Sequence, residues 1–279
     1  MRPNRAGRPR SCLTDPAAQL PASVPSVIGW AGEGATAPGV TPETGGPEPF
    51  TRSVMLMAMA AGALVDFQSL KDGAAEREPF AYLIVPGFVR VEAQKGIEAD
   101  FPEVAHPGSF PLGALRFGPR FAELIAELTG AEMTKIVEEK LGIDLSGRPT
   151  TVTVRGQSRA ADGQIHTDSK SKLVTLLLYM NSEWEGGEGR LRLLRGPHDL
   201  EDYVAEVPPD RGTLLLFKNG PMAWHGFAPF EGPRRVIQVN WVTDDAVVRR
   251  EGARHRLSAF TKRLFGRRAG QGTSHAARH

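Results

Sequence analysis

The chain has 279 residues, of which 41% are hydrophobic and 24% charged, and its formal net charge is only +2. So small a charge gives no support for nucleic-acid binding, and the length is enough for one large domain or two modest ones. The single cysteine, Cys12, excludes an intrachain disulfide and a cysteine-based zinc site. The apolar run 54–65 has 12 residues, too few for a membrane span of roughly 18. We therefore expect a cytoplasmic protein without a membrane or nucleic-acid partner.

Composition divides the chain into three parts. Residues 1–53 are rich in Pro, Gly, Ala and Thr and lack apolar periodicity, so they cannot bury enough surface to offset their ordering entropy. We expect this extension to be disordered, or to result from a start codon placed too early. Residues 54–248 are expected to form the folded domain, and 249–279 a flexible basic tail.

The folded part begins with a predicted strand, followed by a helical block. The run FAYLIVPGFV (80–89) predicts a buried strand that ends at Pro86-Gly87. From Pro119, apolar residues recur at the i, i+3, i+4, i+7 spacing of a helix, and a second run of this kind ends at Gly142. The sequence therefore predicts two consecutive helices before residue 150.

Beyond residue 150 the pattern changes to short strands separated by turn residues. The predicted strands lie at 150–156, 172–181, 189–196, 212–220 and 234–242. A helical block followed by several closely spaced strands predicts an α+β fold, mainly β, in which helices pack outside an antiparallel sandwich or barrel.

The stretch GQIHTDSK places a histidine and a carboxylate two residues apart. In a strand, His166 and Asp168 point to the same face. A second histidine, His225, follows a predicted strand 57 residues beyond Asp168. Two imidazoles and one carboxylate form the facial set that holds non-haem Fe(II) and leaves coordination positions open. The other histidines lie in loops or in the tail: His106, His198, His255, His275 and His279.

Strand parity in RRVIQVNWV (234–242) distinguishes two adjacent arginines. Arg235 shares a face with Ile237, Val239 and Trp241, whereas Arg234 lies on the more polar face and is expected to be solvent-exposed. An arginine directed into an apolar interior is costly unless it meets an anion. Arg235 is therefore predicted either to form an intramolecular ion pair or to anchor the carboxylate of a cosubstrate.

Two segments, HTDSKSKLVTLLLYMNSEWEGGEGRLRLL and GTLLLFKNGPMAWHGFAPFEGPRRVIQVNW, resemble the 2-oxoglutarate- and Fe(II)-dependent dioxygenases, in particular the prolyl-hydroxylase-like branch. The resemblance covers roughly 150–242 and includes the His-x-Asp motif and the YMN and EGGEG turns. It also includes a proline four residues after the distal histidine and a basic residue ten after it. The sequence departs from many relatives in lacking an aromatic residue in the strand before His-x-Asp, and in having Gly189 after GGE. The resemblance implies a double-stranded β-helix, or jelly roll.

Carried over to this chain, the resemblance implies that His166, Asp168 and His225 ligate Fe(II). Arg235 would bind the distal carboxylate of 2-oxoglutarate, and Tyr179 would hydrogen-bond to it unless that tyrosine is structural. The implied reaction uses O₂ to convert 2-oxoglutarate to succinate and CO₂ while it hydroxylates an unactivated C–H bond. Whether ascorbate is required and whether the chain forms a homodimer are left open.

The sequence does not specify the substrate. Peptidyl proline or lysine, a free amino acid and a small metabolite all remain candidates, and the loops 155–163 and 196–210 are expected to shape their pocket. A cupin-like jelly roll with another metal, or a jelly roll that binds a ligand without oxygenase activity, is the alternative function. Cupins usually supply three or four histidines with a glutamate, and this chain offers two well-placed histidines. A non-catalytic module would leave the triad and Arg235 without a purpose.

Overall fold

The computed structural model describes residues 62–249 of the chain. The expectations for the extension 1–53 and for the basic tail after Arg249 lie outside these residues. Across the described range, none of the helices combines the length and the apolar character that crossing a membrane requires.

The β part of the described range consists of two antiparallel sheets. Their strands are β1 (Tyr82–Val85), β2 (Phe110–Pro111), β3 (Thr150–Ser158), β4 (Lys172–Tyr179), β5 (Leu191–Leu194), β6 (Tyr203–Val207), β7 (Leu214–Lys218), β8 (His225–Gly226) and β9 (Gly232–Val242). The larger sheet has the order β1-β7-β4-β9-β3-β2, and the smaller has the order β6-β5-β8. Strands distant in sequence are therefore neighbours, as the crossed connections of a jelly roll require.

A hydrophobic cluster joins the two sheets. From the larger sheet it takes side chains of β4, β7 and β9, and from the smaller sheet side chains of β5 and β6. Inward and outward residues alternate along each strand, so one face of each sheet meets the other sheet. This two-sheet arrangement confirms the predicted jelly roll.

Four helices precede β3, and they cover the outer face of the larger sheet. They are α1 (Phe67–Asp72), α2 (Val91–Asp100), α3 (Pro119–Thr129) and α4 (Ala131–Leu141). The apolar stripe predicted for α3 is buried, and α4 ends at Gly142 in the left-handed conformation, with φ 59° and ψ 52°. A second cluster joins these helices to the outward side chains of β4 and β9. The predicted helical block is therefore confirmed.

All five strands predicted beyond residue 150 are present, but β6 was not predicted. It lies within the acidic segment 196–210, whose carboxylates hid its strand character. Those carboxylates pair with arginines in β5 and directly after it: Arg192 of β5 contacts Glu201 and Glu206, and Arg195 contacts Asp202. Across the two strands themselves, Glu206 of β6 pairs with Arg192 of β5, and the other pairs lie in the segments that flank the strands.

Candidate active site

The structure brings His166, Asp168 and His225 together. A reciprocal pair of backbone hydrogen bonds, each 3.0 Å long, joins residues 166 and 225. As a result, the two imidazole ring centroids lie 4.3 Å apart. One candidate ligand atom from each of the three side chains lies within 4.8 Å of the other two. Three donors so placed, two nitrogens and one oxygen, suit a ferrous ion.

Local hydrogen bonds set the orientation of both imidazoles. Nδ1 of His166 is 2.8 Å from the Gln164 carbonyl oxygen, and Nδ1 of His225 is 3.0 Å from the Ala223 carbonyl oxygen. A carbonyl accepts, so in each ring Nδ1 carries the proton and Nε2 presents its lone pair. Metal-binding histidines in proteins are held by contacts of this kind.

Two polar side chains hold Asp168. The Lys172 ammonium lies 2.9 Å from Oδ1 of the carboxylate, and the Thr175 hydroxyl donates to Oδ2 at 2.6 Å. Thr175 in turn accepts a hydrogen bond of 2.9 Å from the Asn219 side-chain amide. Because a carboxylate has about four lone-pair sites, these contacts fix its orientation and still leave room for a metal ion.

The environment favours the metal-binding protonation states of the buried ligands. Burial, followed by the proximity of His166, lowers the pKa of His225 from 6.5 to about 4. Burial acts to raise the pKa of Asp168, but Lys172 and Thr175 outweigh it, so the pKa is lowered. At neutral pH, His225 is therefore a neutral imidazole and Asp168 a carboxylate, the forms that bind a cation.

The three candidate ligands line a cavity of about 410 Å³. Tyr179 and Arg234 line the same cavity, and so does the end of the 155–163 loop through Asp162 and Gly163. This part of the loop therefore lies at the cavity. The acidic segment 196–210 contributes no residue to this lining.

The predicted orientation of the two adjacent arginines was wrong. Arg234 is buried, with only 4% exposed, and lines the cavity, whereas Arg235 is exposed and its guanidinium lies 5.5 Å from the centre of the Phe101 ring. The apolar face of β9 packs against the helices, so the more polar face is the one that meets the interior of the jelly roll. The cavity arginine is therefore Arg234, and Arg235 lies outside the cavity.

Arg234 is a buried cation without a carboxylate partner among the described residues. Its Nε donates to the Gly189 carbonyl oxygen at 2.9 Å, and its guanidinium carbon lies 4.2 Å from the centre of the Phe227 ring. Its Nη2 atom has no hydrogen-bond partner in the described part of the chain, and neither does the Tyr179 hydroxyl, which is also buried. Such groups are costly unless a ligand satisfies them. A carboxylate in the cavity would do so.

Burial and mutual attraction set the ionisation of this pair. Burial raises the pKa of Tyr179, although the charge of Arg234 opposes the shift. Tyr179 therefore remains a neutral phenol that can donate a hydrogen bond, next to a guanidinium that can donate several. The sequence prediction that Tyr179 faces inward with Thr175 and Leu177 is confirmed, because all three line the cavity.

Gly189, noted in the sequence as a departure from relatives, has a local structural cause. Its φ is +74°, and a Cβ atom there would lie 2.8 Å from the Trp184 ring and 3.0 Å from the Phe230 ring. A larger residue would therefore displace the backbone carbonyl that holds Arg234. The glycine positions the cavity arginine without entering the cavity.

The fold and the site define a class of protein: a jelly roll with two histidines and one carboxylate beside a buried cation. Residues 156–243 match the model of the 2OG-Fe(II) oxygenase superfamily. This segment contains all three candidate ligands as well as Tyr179 and Arg234. This segment is therefore similar to the 2-oxoglutarate- and Fe(II)-dependent oxygenases, in agreement with the resemblance found in the sequence.

Solved structures with a similar fold include two prolyl 4-hydroxylases. The enzyme from Pseudomonas putida is 16% identical, with a TM-score of 0.43, and the match covers 63% of this chain and 93% of that chain. An enzyme from Phytophthora capsici is 18% identical, with a TM-score of 0.40, and the match covers 73% of this chain and 70% of that chain. HygX from Streptomyces hygroscopicus, with nickel and 2-oxoglutarate bound, is 14% identical, with a TM-score of 0.39, and the match covers 58% of this chain and 82% of that chain. Likenesses this weak establish no property of this chain, and no curated protein matches it.

Sequence reasoning missed several residues of the site. Lys172 and Thr175 fall at the start of a predicted strand, where polar residues are common, so only their contacts with Asp168 reveal them. Arg155 and Asp162 lie at opposite ends of one loop and meet only in the folded chain. A search for polar residues within otherwise apolar, buried strands would have found Thr175 and Arg234.

Proposed function

We propose that the protein hydroxylates an unactivated C–H bond of a small molecule or of a peptidyl proline or lysine. In this proposal His166, Asp168 and His225 hold Fe(II), while Arg234 and Tyr179 hold the distal carboxylate of 2-oxoglutarate. The observation that carries it is that one cavity contains three candidate ligand atoms together with a buried guanidinium nitrogen and a buried phenol hydroxyl that have no hydrogen-bond partner among the described residues.

The chain's residues would divide the work between binding and orientation. When bound, Fe(II) and 2-oxoglutarate supply the oxidising chemistry: O₂ is consumed, 2-oxoglutarate becomes succinate and CO₂, and one oxygen atom enters the substrate as a hydroxyl group. Asp168 and the two histidines would supply three donors to the ion, a set that leaves coordination positions for other ligands. Arg234 offers a forked guanidinium to a carboxylate, and Phe227 holds that guanidinium in position from one face.

Anaerobic titration with Fe(II) and 2-oxoglutarate tests the proposal. The wild-type protein should give a weak visible charge-transfer band and then, in air, release succinate. His225→Ala should lose both, because one of three ligands is absent. His198→Ala is the matched control: His198 is exposed and does not line the cavity, so this variant should behave as wild type. Full succinate formation by His225→Ala would refute the assignment.

The same experiment separates the alternative function. A cupin-like or ligand-binding jelly roll would bind a metal or a ligand without the band and without succinate release. Nη2 of Arg234 and the Tyr179 hydroxyl, which lack hydrogen-bond partners among the described residues, favour the oxygenase, because a site for a metal alone gives no reason to bury them.

A further inference from the structure

One ion pair in the cavity has no role in the proposed binding of Fe(II) or 2-oxoglutarate. Arg155, on β3, contacts Oδ2 of Asp162 at 2.8 Å, and both side chains line the cavity. Arg155 stands opposite Val236 of β9, which also lines the cavity. Arg234 precedes Val236 by two residues and therefore shares its face of β9. The ion pair thus lies on the same inner surface as Arg234.

Asp162 is fully engaged, whereas Arg155 is not. The Asp162 carboxylate accepts hydrogen bonds from the Arg159 backbone N–H and side-chain Nε as well as from Arg155. Arg155 donates through one terminal nitrogen to Asp162 and through the other to the Ser109 hydroxyl, at 3.3 Å. Since a guanidinium has five N–H donors, three remain. Arg155 is thus an arginine fixed in direction that keeps enough donors for a second carboxylate.

The charge of the cavity points to an anionic substrate. The charged side chains among its described lining residues are Arg155, Lys172 and Arg234, with Asp162 and Asp168. Metal-ligating histidines are neutral, so these five side chains carry one net positive charge. The charges of Fe(II) and of the 2-oxoglutarate dianion cancel, and the loaded cavity keeps that positive charge. An anionic group beside Arg155 would balance it.

The size of the cavity points to a small substrate. Its volume of about 410 Å³ is near the lower end of the roughly 300–1,000 Å³ of ligand pockets, and Fe(II) and 2-oxoglutarate must share it. The remaining room suits a molecule of a few carbon atoms or one residue of a peptide. A residue inside a peptide chain has no main-chain carboxylate to offer Arg155, whereas a free amino acid has one.

We propose that Arg155 binds a carboxylate of the primary substrate, which is therefore a small free carboxylic acid of the amino-acid type and not a residue within a peptide. This inference rests on the proposed oxygenase function. Asp162 and Ser109 act as positioning residues, because they hold the guanidinium with its unused donors available to the cavity. The hydroxylation itself is unchanged: the substrate exchanges one C–H bond for C–OH.

The test compares acids with their uncharged counterparts. Succinate release by the wild-type protein would be measured with the free amino acids and simple carboxylic acids, with the carboxamide of each, and with capped peptides containing proline or lysine. At least one free acid should stimulate release, with kcat/KM about tenfold to a hundredfold above that of its carboxamide. Calorimetric titration of that acid into the anaerobic Fe(II)–2-oxoglutarate complex should show the same preference in binding alone.

Two variants assign the preference to Arg155. Arg155→Gln should raise the KM of the acid by a similar factor and remove the preference over the carboxamide, while the affinity for 2-oxoglutarate changes less than about threefold. Arg155→Lys keeps the charge and should retain part of the preference. Arg159→Gln is the matched control, because Arg159 pairs with the same Asp162 but is exposed and does not line the cavity. Thermal unfolding checks that each variant is folded.

Different results would reject the oxygenase function and the Arg155 proposal. Absence of the Fe(II)–2-oxoglutarate band in the wild-type protein would reject the oxygenase itself. With the band present, the Arg155 proposal is overturned if capped peptides or carboxamides are the better substrates, or if no acid in the panel binds or stimulates release. It is also overturned if Arg155→Gln weakens 2-oxoglutarate binding as much as removal of Arg234 does.

Discussion

Replacement of Arg234 by alanine should weaken 2-oxoglutarate binding strongly, whereas replacement of its neighbour Arg235 should not. Both residues belong to β9 and carry the same charge, so the comparison isolates the direction of the side chain. Arg234 is 4% exposed and lines the cavity, while Arg235 is exposed and contacts the Phe101 ring. Only Arg234 can therefore contact 2-oxoglutarate bound in the cavity.

The size of the effect follows from the hydrogen bonds that the alanine variant can no longer donate to the carboxylate. Hydrogen bonds to a charged partner contribute about 1.5–3 kcal/mol, and 1.4 kcal/mol corresponds to tenfold in affinity. Arg234→Ala should therefore raise the Kd of 2-oxoglutarate by roughly tenfold to a hundredfold. Arg235→Ala removes only an exposed contact, so its effect should stay within about 0.5 kcal/mol, or less than threefold.

Anaerobic titration of the Fe(II)-loaded protein with 2-oxoglutarate, followed by the charge-transfer band, measures both constants. Fe(II) binding in the absence of 2-oxoglutarate should be nearly the same in the two variants, because neither arginine touches a metal ligand. Since Arg234 packs on Phe227 and holds the Gly189 carbonyl, Arg234→Lys serves as a variant that keeps the charge and should retain part of the affinity. If Arg235→Ala proves the weaker binder, the assignment of the cavity arginine is wrong.

Two further predictions concern the support of Asp168 and the stability of the fold. Thr175→Val should lower the Fe(II) affinity about tenfold to a hundredfold in a competition titration, because Asp168 loses its 2.6 Å hydrogen bond. Thr175→Ser should restore the affinity. A valine variant that binds Fe(II) as tightly as wild type would exclude a role of Thr175 in holding Asp168. Burial raises the pKa of Glu127 above 4.5 although it accepts hydrogen bonds from Leu64 and Val65, so the folded state holds this proton more tightly than the unfolded state. The free energy of unfolding of the wild type, relative to Glu127→Gln, should therefore fall as pH rises from about 4 to 7 in urea titrations, and a constant difference would contradict the shift.

Local, repeated patterns predicted the helices and strands, whereas the jelly roll itself was implied by the resemblance to a known family. The apolar spacing of α3 and α4 is buried as predicted, and the five predicted strands recur as β3, β4, β5, β7 and β9. The strand β6 escaped prediction since it lies in an acidic segment whose pairing with arginines in and next to β5 no local pattern reveals. Strand pairing is non-local, so its charge complementarity emerges only in the folded chain.

The site was predicted in part for a similar reason. Residue type and spacing singled out His166, Asp168 and His225, because a second histidine directly after a predicted strand could complete the set that the His-x-Asp pair begins. The choice between Arg234 and Arg235 required knowing which face of β9 meets the ligand. Strand parity groups residues by face correctly, but it does not say what lies on each side. The assumption that the apolar face points into the jelly roll was the error.

The reason lies in what covers the two faces of β9, which lies between β3 and β4 in the sheet: from Val236 to Trp241, one face packs on the helices and the other faces the interior of the jelly roll. Ile237, Val239 and Trp241 cover the face that packs on the helices, where only apolar contact is available. The opposite face lines the cavity that is proposed to hold a divalent cation and a dicarboxylate, and it carries Arg234 and Gln238 as well as Val236. In a jelly roll that binds charged ligands, the polar face of a central strand is therefore the inner one. The same reasoning applies to β4, where Thr175 and Tyr179 share the cavity face while Leu176 and Leu178 pack on the helices.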